Sequence, residues 1–581
     1  MKIKYILLVA AGMCVFNSCN DLLDKYPLDT VTEAVFWTSE KDVELYCNKF
    51  YSAFPDHRNN LYGGGTFNDG SSDNQYSNSD YLKGTRTVPA ATDKDKGIWS
   101  WGTIREINYF FENYQKVPGG LEAIKHYVGE MHFFKAWHYF NQLKKYGDLP
   151  WYDKVLQMDS EELYAPRVSR AIVMDSICSN LDKAIAYLSD KGSAPQDRFS
   201  KDLAIAFKAR VCLFEGTWEK YHKGTRFGVE GEDGTRFLRQ ALAAAETLMG
   251  KGYALYYDEE GANDPSLNYK NLFNKSDYSN NPEVFFFKKY DTDLNYAHNL
   301  EYQGFSDVNL TMGLVNSYLC KDGKPIYANG SQNPEFKGNK THRDIVENRD
   351  PRIMTMFLIP GDPKLIDFST GQVTLEAVVN LKGDYVSATG FDRKKGTTLD
   401  SRQYGPGACT TAAITMRYAE ILLIYAEAKY ELGELTQADL DKSINLLRDR
   451  VGMPHLTMNV GFTDPHWDFP SVSPLLNEIR RERRVELAFE GLRNQDLCRW
   501  AGFDEVIVGK RPKGIWLNKE VYPDVVVDKD VFVDADGYLD PLQRQIPDGF
   551  GFRVDQDYLD PIPTEELVLN PNLKQNPGWE D

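Results

Sequence analysis

Seven residues in two polar, irregular stretches have the chemistry to hold a ring-shaped, hydroxyl-rich molecule. Asn74, Tyr76, Tyr81, Arg86 and Trp99 fall in or just after the stretch from Asn59 to Gly97, and Tyr290 and Tyr296 stand together further on. A flat aromatic side chain stacks on the C–H face of a pyranose, while amide and guanidinium groups hydrogen-bond its hydroxyls. The neighbours of these rings are Asn, Asp and Arg, so burial is not forced on them. For each ring the alternative is packing within its own loop.

Bond-making chemistry has no comparable support. The chain has no G-x-S-x-G, H-E-x-x-H, Walker loop or G-x-G-x-x-G. Its nine histidines are scattered, and His132 and His138, six apart, do not share a helical face. Carboxylates are plentiful, but the spacing glycoside cleavage needs, roughly 5–10 Å, is set in space and not along the chain. The eight cysteines include no CxxC, and their spacings suit neither zinc nor a dense disulfide framework. Cys178 and Cys212 sit at apolar helical positions and read as buried thiols. No cofactor and no metal are expected.

Composition narrows the partners. Among 581 residues, 67 basic and 85 acidic side chains leave a formal charge of −18, which argues against duplex DNA or an anionic lipid surface. Hydrophobic residues at 42% and charged residues at 26% describe a folded chain. Its 34 Tyr, 31 Phe and 10 Trp fit either a well-filled core or a site for planar and sugar-like ligands.

The elements that must position these residues form two helix-rich blocks around a loop-rich middle. In the first block Leu203, Phe207, Val211 and Phe214 lie at offsets 0, 4, 8 and 11, one helical face. Phe133, Trp137 and Phe140 make a second stripe, and Ala136 with Phe140 has the A-x₃-F spacing of a tetratricopeptide helix. Ala241 to Met249 is an alanine-rich helix closed by Gly250. In the second block Ile421, Tyr425, Ala428 and Leu432 form a stripe that Gly433 stops. The middle is rich in Gly, Asn, Asp and Tyr with short β-like runs such as Val284–Phe287. From about Gly502 a Pro- and Asp-rich tail reads as extended chain around the body.

Arg483, Glu486, Glu490 and Arg493 fall at offsets 0, 3, 7 and 10. This predicts one helical face that satisfies its own charges and holds the helix to its neighbours, not a nucleic-acid patch. At the start, Lys2 and Lys4 precede a twelve-residue apolar run, Tyr5 to Phe16, and then Asn17-Ser18-Cys19. That is a secretory leader, too short to span a bilayer. Ser18-Cys19 resembles a bacterial lipobox, with Cys19 as the lipidated residue, although Phe16 and Asn17 depart from its Leu-rich positions.

Several blocks in fixed order carry a family resemblance: Cys19 to Pro27, Phe36-Trp37, Lys145 to Pro150, Asp350-Pro351-Arg352, Arg417 to Ala428, Glu482 to Trp500 as a helix, and the closing Pro561-Ile562-Pro563 and Asn576 to Trp579. Together they resemble the SusD/RagB-type outer-membrane lipoproteins of Bacteroidota. The resemblance implies a mainly α fold, with tetratricopeptide-like helical hairpins and a loop-rich insertion region that faces the ligand. It divides the chain into a signal peptide at 1–18, a lipidated tether at 19–34, an N-terminal helical part at 35–252, the loop-rich region at 253–412 and a C-terminal helical part with its tail at 413–581. It further implies a lipid-anchored, surface-exposed protein of the outer membrane. Such a protein captures oligosaccharide or polysaccharide without cleaving it and delivers it to a SusC-like TonB-dependent β-barrel. Trp99 is the residue it places nearest to a family binding aromatic. Peptide or glycopeptide capture, a lid for the barrel and a lipid-anchored glycoside hydrolase are the competing readings.

Overall fold

The computed structural model of the chain describes residues 36–58, 65–94, 96–303 and 308–580. The leader, Cys19 and the tether lie outside the described residues. The first layers are helical: α1 (Glu40–Asn48), α2 (Gly102–Asn113), α3 (Gly120–Tyr146), α4 (Arg170–Tyr187), α5 (Lys201–Tyr221) and α6 (Thr235–Met249). Helix α1 starts at a reciprocal cap between Ser39 and Asp42, which satisfies two otherwise orphaned N–H groups. Consecutive helices α3 to α6 pack side by side. The expected stripes interlock there: Phe133 and Trp137 reach Phe207 at ring separations of 5.2 and 5.0 Å, and Phe140 reaches Phe214 at 5.4 Å. Where α5 meets the start of α6, backbone runs against backbone. A Cβ on Gly234, whose φ is +79°, would lie 1.8 Å from the Gly216 carbonyl oxygen, so only glycine fits.

The loop-rich region is bracketed by one pair of strands. In it follow β1 (Val284–Lys288), α7 (Met312–Ser317), β2 (Tyr327–Ala328), β3 (Ser331–Gln332), β4 (Pro363–Ile366) and β5 (Val373–Leu375), and then β6 (Ala413–Arg417). Strand β1 pairs antiparallel with β6, Val284 opposite Arg417 and Lys288 opposite Ala413. This pairing draws the two ends of the region together. Helix α8 (Tyr418–Glu431) then returns to pack on α5 and α6. A second apolar cluster, separate from that of the helical layers, lies under the loops and includes Leu310, Val315, Tyr318, Ile353, Phe357 and Phe391. The tail, expected as extended chain, wraps the body as irregular chain with turns and short helices at Phe503–Val506 and Thr564–Leu569: Arg167 donates to Asn576 at 2.7 Å, and the Asn576 amide donates to the Asp560 carbonyl at 2.7 Å.

One expectation fails. The segment from Glu482 to Trp500 is not a single helix. Helix α9 (Ile444–Arg450) is followed by α10 (Pro474–Glu486), and after a turn the chain resumes as α11 (Arg493–Arg499). Phe489 and Gly491 adopt φ of 61° and 74° in that turn. The charges at 483, 486, 490 and 493 therefore do not share a face, and their partners come from elsewhere. Glu486 accepts from Arg450 at 2.5 Å, Arg417 at 2.7 Å and Arg352 at 2.9 Å. Glu490 takes Arg417 and Lys395, Arg483 takes Asp496, and Arg493 takes Asp73 and Asp468. Three guanidinium groups hold the Glu486 carboxyl far below the usual range although burial opposes them. The network is a tertiary clamp between the loop-rich region and the last helices.

Candidate functional site

The seven residues proposed from the sequence do not form one surface. Asn74 is fully buried, its amide donating to Asp69 at 2.8 Å and accepting from Arg484 at 2.7 Å. Tyr76 is half-buried, with its backbone N–H on the Asn309 carbonyl at 2.9 Å. Tyr81 packs edge-on against Phe503 and Phe552, and its hydroxyl meets the Cys498 thiol at 3.5 Å. Arg86 binds the tail, through the Asp557 carbonyl at 2.7 Å and the Asp560 carboxylate. Trp99 is 3% exposed, set edge-to-face against Tyr146 and Trp101, with its backbone N–H on the Tyr146 hydroxyl at 2.9 Å. Its indole borders a hollow of about 300 Å³ beside Tyr152 and Glu566 but presents no open face.

Tyr290 and Tyr296 do come together. Their rings are nearly parallel at 14° and 5.5 Å apart, with Tyr296 exposed. The Arg58 guanidinium lies 4.6 Å from the centre of the Tyr296 ring, and the Tyr290 hydroxyl accepts from the His57 backbone N–H at 2.7 Å. Burial pulls His298, behind Tyr290, down to about 4 and keeps it neutral. Both neighbours of the Tyr296 ring compete with any sugar for its faces.

A larger concave site lies elsewhere in the loop-built half. It is a cleft of about 460 Å³, within the range of ligand pockets. Its aromatic walls are Tyr327 on β2, Phe336, Trp467 and Tyr538. The β2–β3 hairpin turns through Asn329-Gly330, both at positive φ (52° and 81°), the geometry of a two-residue type I′ turn. The Asn329 backbone N–H then donates to the Thr463 carbonyl, and its side chain accepts from the Thr463 N–H, both at 2.9 Å. That double bond carries the 463–468 loop to Tyr327. Tyr327 there meets His466 edge-on at 5.8 Å. Trp467 is fixed by its indole N–H on Glu478 at 2.9 Å, and Tyr538 by the Asn339 amide.

The charged side chains that line the cleft already have hydrogen-bond partners. Arg481 donates to Asp464 at 2.5 Å and to Glu478 at 3.1 Å, and Asp468 accepts from Arg484 and Arg493. Arg349 spends its donors on the Tyr318 and Val315 carbonyls. By contrast, the side chains of Asn316 and Gln332 have no hydrogen-bond partner among the described residues. The cleft thus offers rings and free amides, with its carboxylates paired and the Arg349 donors taken up by carbonyls, which suits a neutral, hydroxyl-bearing ligand. Sequence reasoning passed over it. The signal available was Asn329-Gly330, which announces a hairpin and so a defined direction for Tyr327.

The comparisons with known proteins agree with the architecture. Residues 256–579 match the model of the SusD family, and residues 38–213 match one described as starch-binding associating with outer membrane. The chain belongs to the SusD family. It is 23% identical over 520 residues to the SusD-like protein P38 of Formosa agariphila, covering 86% of this chain and 91% of that one. A SusD-like protein from Bacteroides fragilis NCTC 9343 superimposes with a TM-score of 0.69 at 24% identity, over 95% of this chain and all of the other. A SusD-like carbohydrate binding protein from the same organism gives 0.68 at 23%, over 93% of this chain and all of that one. A laminarin binding SusD-like protein gives 0.51 at 19%, over 93% of this chain and all of that one. At these identities the structures speak to the fold.

Among the described residues no helix is long and apolar enough to cross a membrane, and no group of three His, Cys, Asp or Glu is placed to hold a metal ion.

Proposed function

We propose that this protein captures oligosaccharide at the cell surface without cleaving it. Held to the outer membrane by lipid on Cys19, it passes the glycan to a SusC-like TonB-dependent barrel. The observation that carries the reading is the Tyr327–Trp467–Tyr538 cleft with its free amides and paired carboxylates. Rings stack on sugar C–H faces, and Asn316 and Gln332 orient hydroxyls. Family membership and the carbohydrate-binding relatives support capture. Binding that supports handover is modest, about −4 to −8 kcal/mol, or millimolar to micromolar.

The test is a panel of host and plant polysaccharides against the wild type and the Tyr327→Ala/Trp467→Ala double variant, with reducing ends assayed alongside. Capture predicts binding without new reducing ends, and loss of that binding in the double variant. Released reducing ends, or equal affinity in the double variant, would overturn the reading. Co-purification with a large outer-membrane β-barrel tests the handover.

A further inference from the structure

Two hollows outside the cleft converge on one face of α3. Trp137, Phe140, Asn141 and Lys144 recur there at offsets 0, 3, 4 and 7, one stripe of helix. The hollows measure about 290 and 660 Å³, and Asn141, Lys144, Gly491 and Gln495 line both. The other cations on their walls are held: Arg210 by Glu420, Arg417 by Glu486 and Glu490, Arg86 by Asp557 and Asp560, and Lys145 by the Gly97 carbonyl.

Lys144 and Asn141 are the exceptions. The Lys144 ammonium sits 4.9 Å from the centre of the Phe140 ring and has no carboxylate or carbonyl partner among the described residues; the Asn141 amide has no hydrogen bond there either. An ammonium without a counter-ion, half-buried in a protein of charge −18, is costly unless an anion meets it. The rest of the lining adds amides and hydroxyls, among them Asn68, Thr66 and Ser71, beside the aromatic wall.

We propose that these hollows bind a small carboxylate-bearing sugar of the hexuronate class, its carboxylate on Lys144 and Asn141 and its ring beside the half-buried Trp137. The site shares no lining residue with the cleft, and the proposal does not rest on glycan capture there. Burial and the facing Arg210 of α5 pull the Lys144 ammonium down to about 7, assisted by Lys145 of its own helix and opposed by the Cys498 thiol of α11. Across the hollows stand Arg86, Asp560, Glu420, Arg417 and Glu490. A carboxylate arriving beside the ammonium favours its charged form, so binding takes up protons from a neutral buffer.

The experiment is calorimetric titration of the purified protein with sodium galacturonate and sodium glucuronate, against galactose and glucose. It is run at about pH 7.5 in two buffers of different protonation enthalpy. The expected result is saturable uronate binding about tenfold or more tighter than that of the neutral sugars, with a buffer-dependent heat that reports proton uptake. Lys144→Met should lose about tenfold or more in affinity, and Asn141→Ala about threefold, both with unchanged thermal midpoints. Tyr327→Ala/Trp467→Ala should leave uronate binding intact. Equal binding of the neutral sugars, a buffer-independent heat, retained affinity in a folded Lys144→Met, or no saturable uronate heat in the wild type would each overturn the assignment.

Discussion

Set beside each other, the Phe133–Trp137–Phe207 cluster and the Tyr327–Trp467–Tyr538 cleft use the same kind of side chain to opposite ends. In the helical layers Phe133 and Phe207 are closed in by other rings and keep almost no exposed surface, and Trp137 between them stays only half-open at the wall of a hollow. In the loop-built half the rings are fixed at their polar atoms, Trp467 through Glu478 and Tyr538 through Asn339, and their flat surfaces line open space. A ring held at its polar atom, as Trp467 and Tyr538 are, keeps more of its surface for a ligand than one closed in on several sides by other rings.

That contrast can be broken by experiment. The largest effect belongs to the clamp that holds the loop-rich region to α10. Arg352→Met leaves Asp350, Glu482 and Glu486 short of a buried partner and should cost about 3–5 kcal/mol in denaturant unfolding. A loss under about 1 kcal/mol would mean that the clamp is not what holds the loop-rich region to α10.

Trp99→Ala follows, with an expected loss of about 3–5 kcal/mol from the cavity it opens, and no change in affinity for any glycan the wild type binds. A stable Trp99→Ala protein that no longer binds glycan would move the site to the helical half. Trp467→Ala should do the reverse: glycan affinity falls about tenfold, roughly 1.4 kcal/mol, while the unfolding midpoint barely moves.

A smaller effect depends on pH. Glu219 on α5 is buried with neither carboxyl oxygen partnered, and burial, reinforced by Glu215, pushes it up to about 8. Its folded value lies above the unfolded one, so the stability it contributes is complete below about pH 4.5 and is lost as the pH rises through 8. Glu219→Gln cannot ionise. It should match the wild type at about pH 4 and exceed it by about 1–2 kcal/mol at about pH 9 in parallel thermal melts. A constant difference across that range would show that the carboxyl does not titrate in the folded protein. The smallest effect is expected from Tyr296→Ala, whose ring is already shared by Tyr290 and Arg58; glycan affinity should change by less than about twofold.

The helices were legible because periodicity decides burial on a helix. Leu203, Phe207, Val211 and Phe214 all lie in the core, as their spacing requires, and Gly433 closes α8. The same reasoning failed at Phe489 and Gly491. An i, i+3, i+7 charge pattern runs on across a two-residue change of backbone direction, and only the positive φ values reveal the break. Loop rings were harder still. Trp99 and Asn74 stand in or beside an irregular stretch of the sequence, yet Tyr146 and Arg484 close over them.

The sequence by itself determined the family, the helical faces and the order of the parts, because each depends on residues close together along the chain. Which rings face a ligand, which charges cancel and where an unpaired ammonium remains were decided by tertiary structure. Asn329 must meet Thr463 before Tyr327 can stand beside Trp467, and Glu486 must meet Arg352, Arg417 and Arg450 before its helix can stay buried. These contacts join residues tens to more than a hundred positions apart, so no local pattern of residue types encodes them.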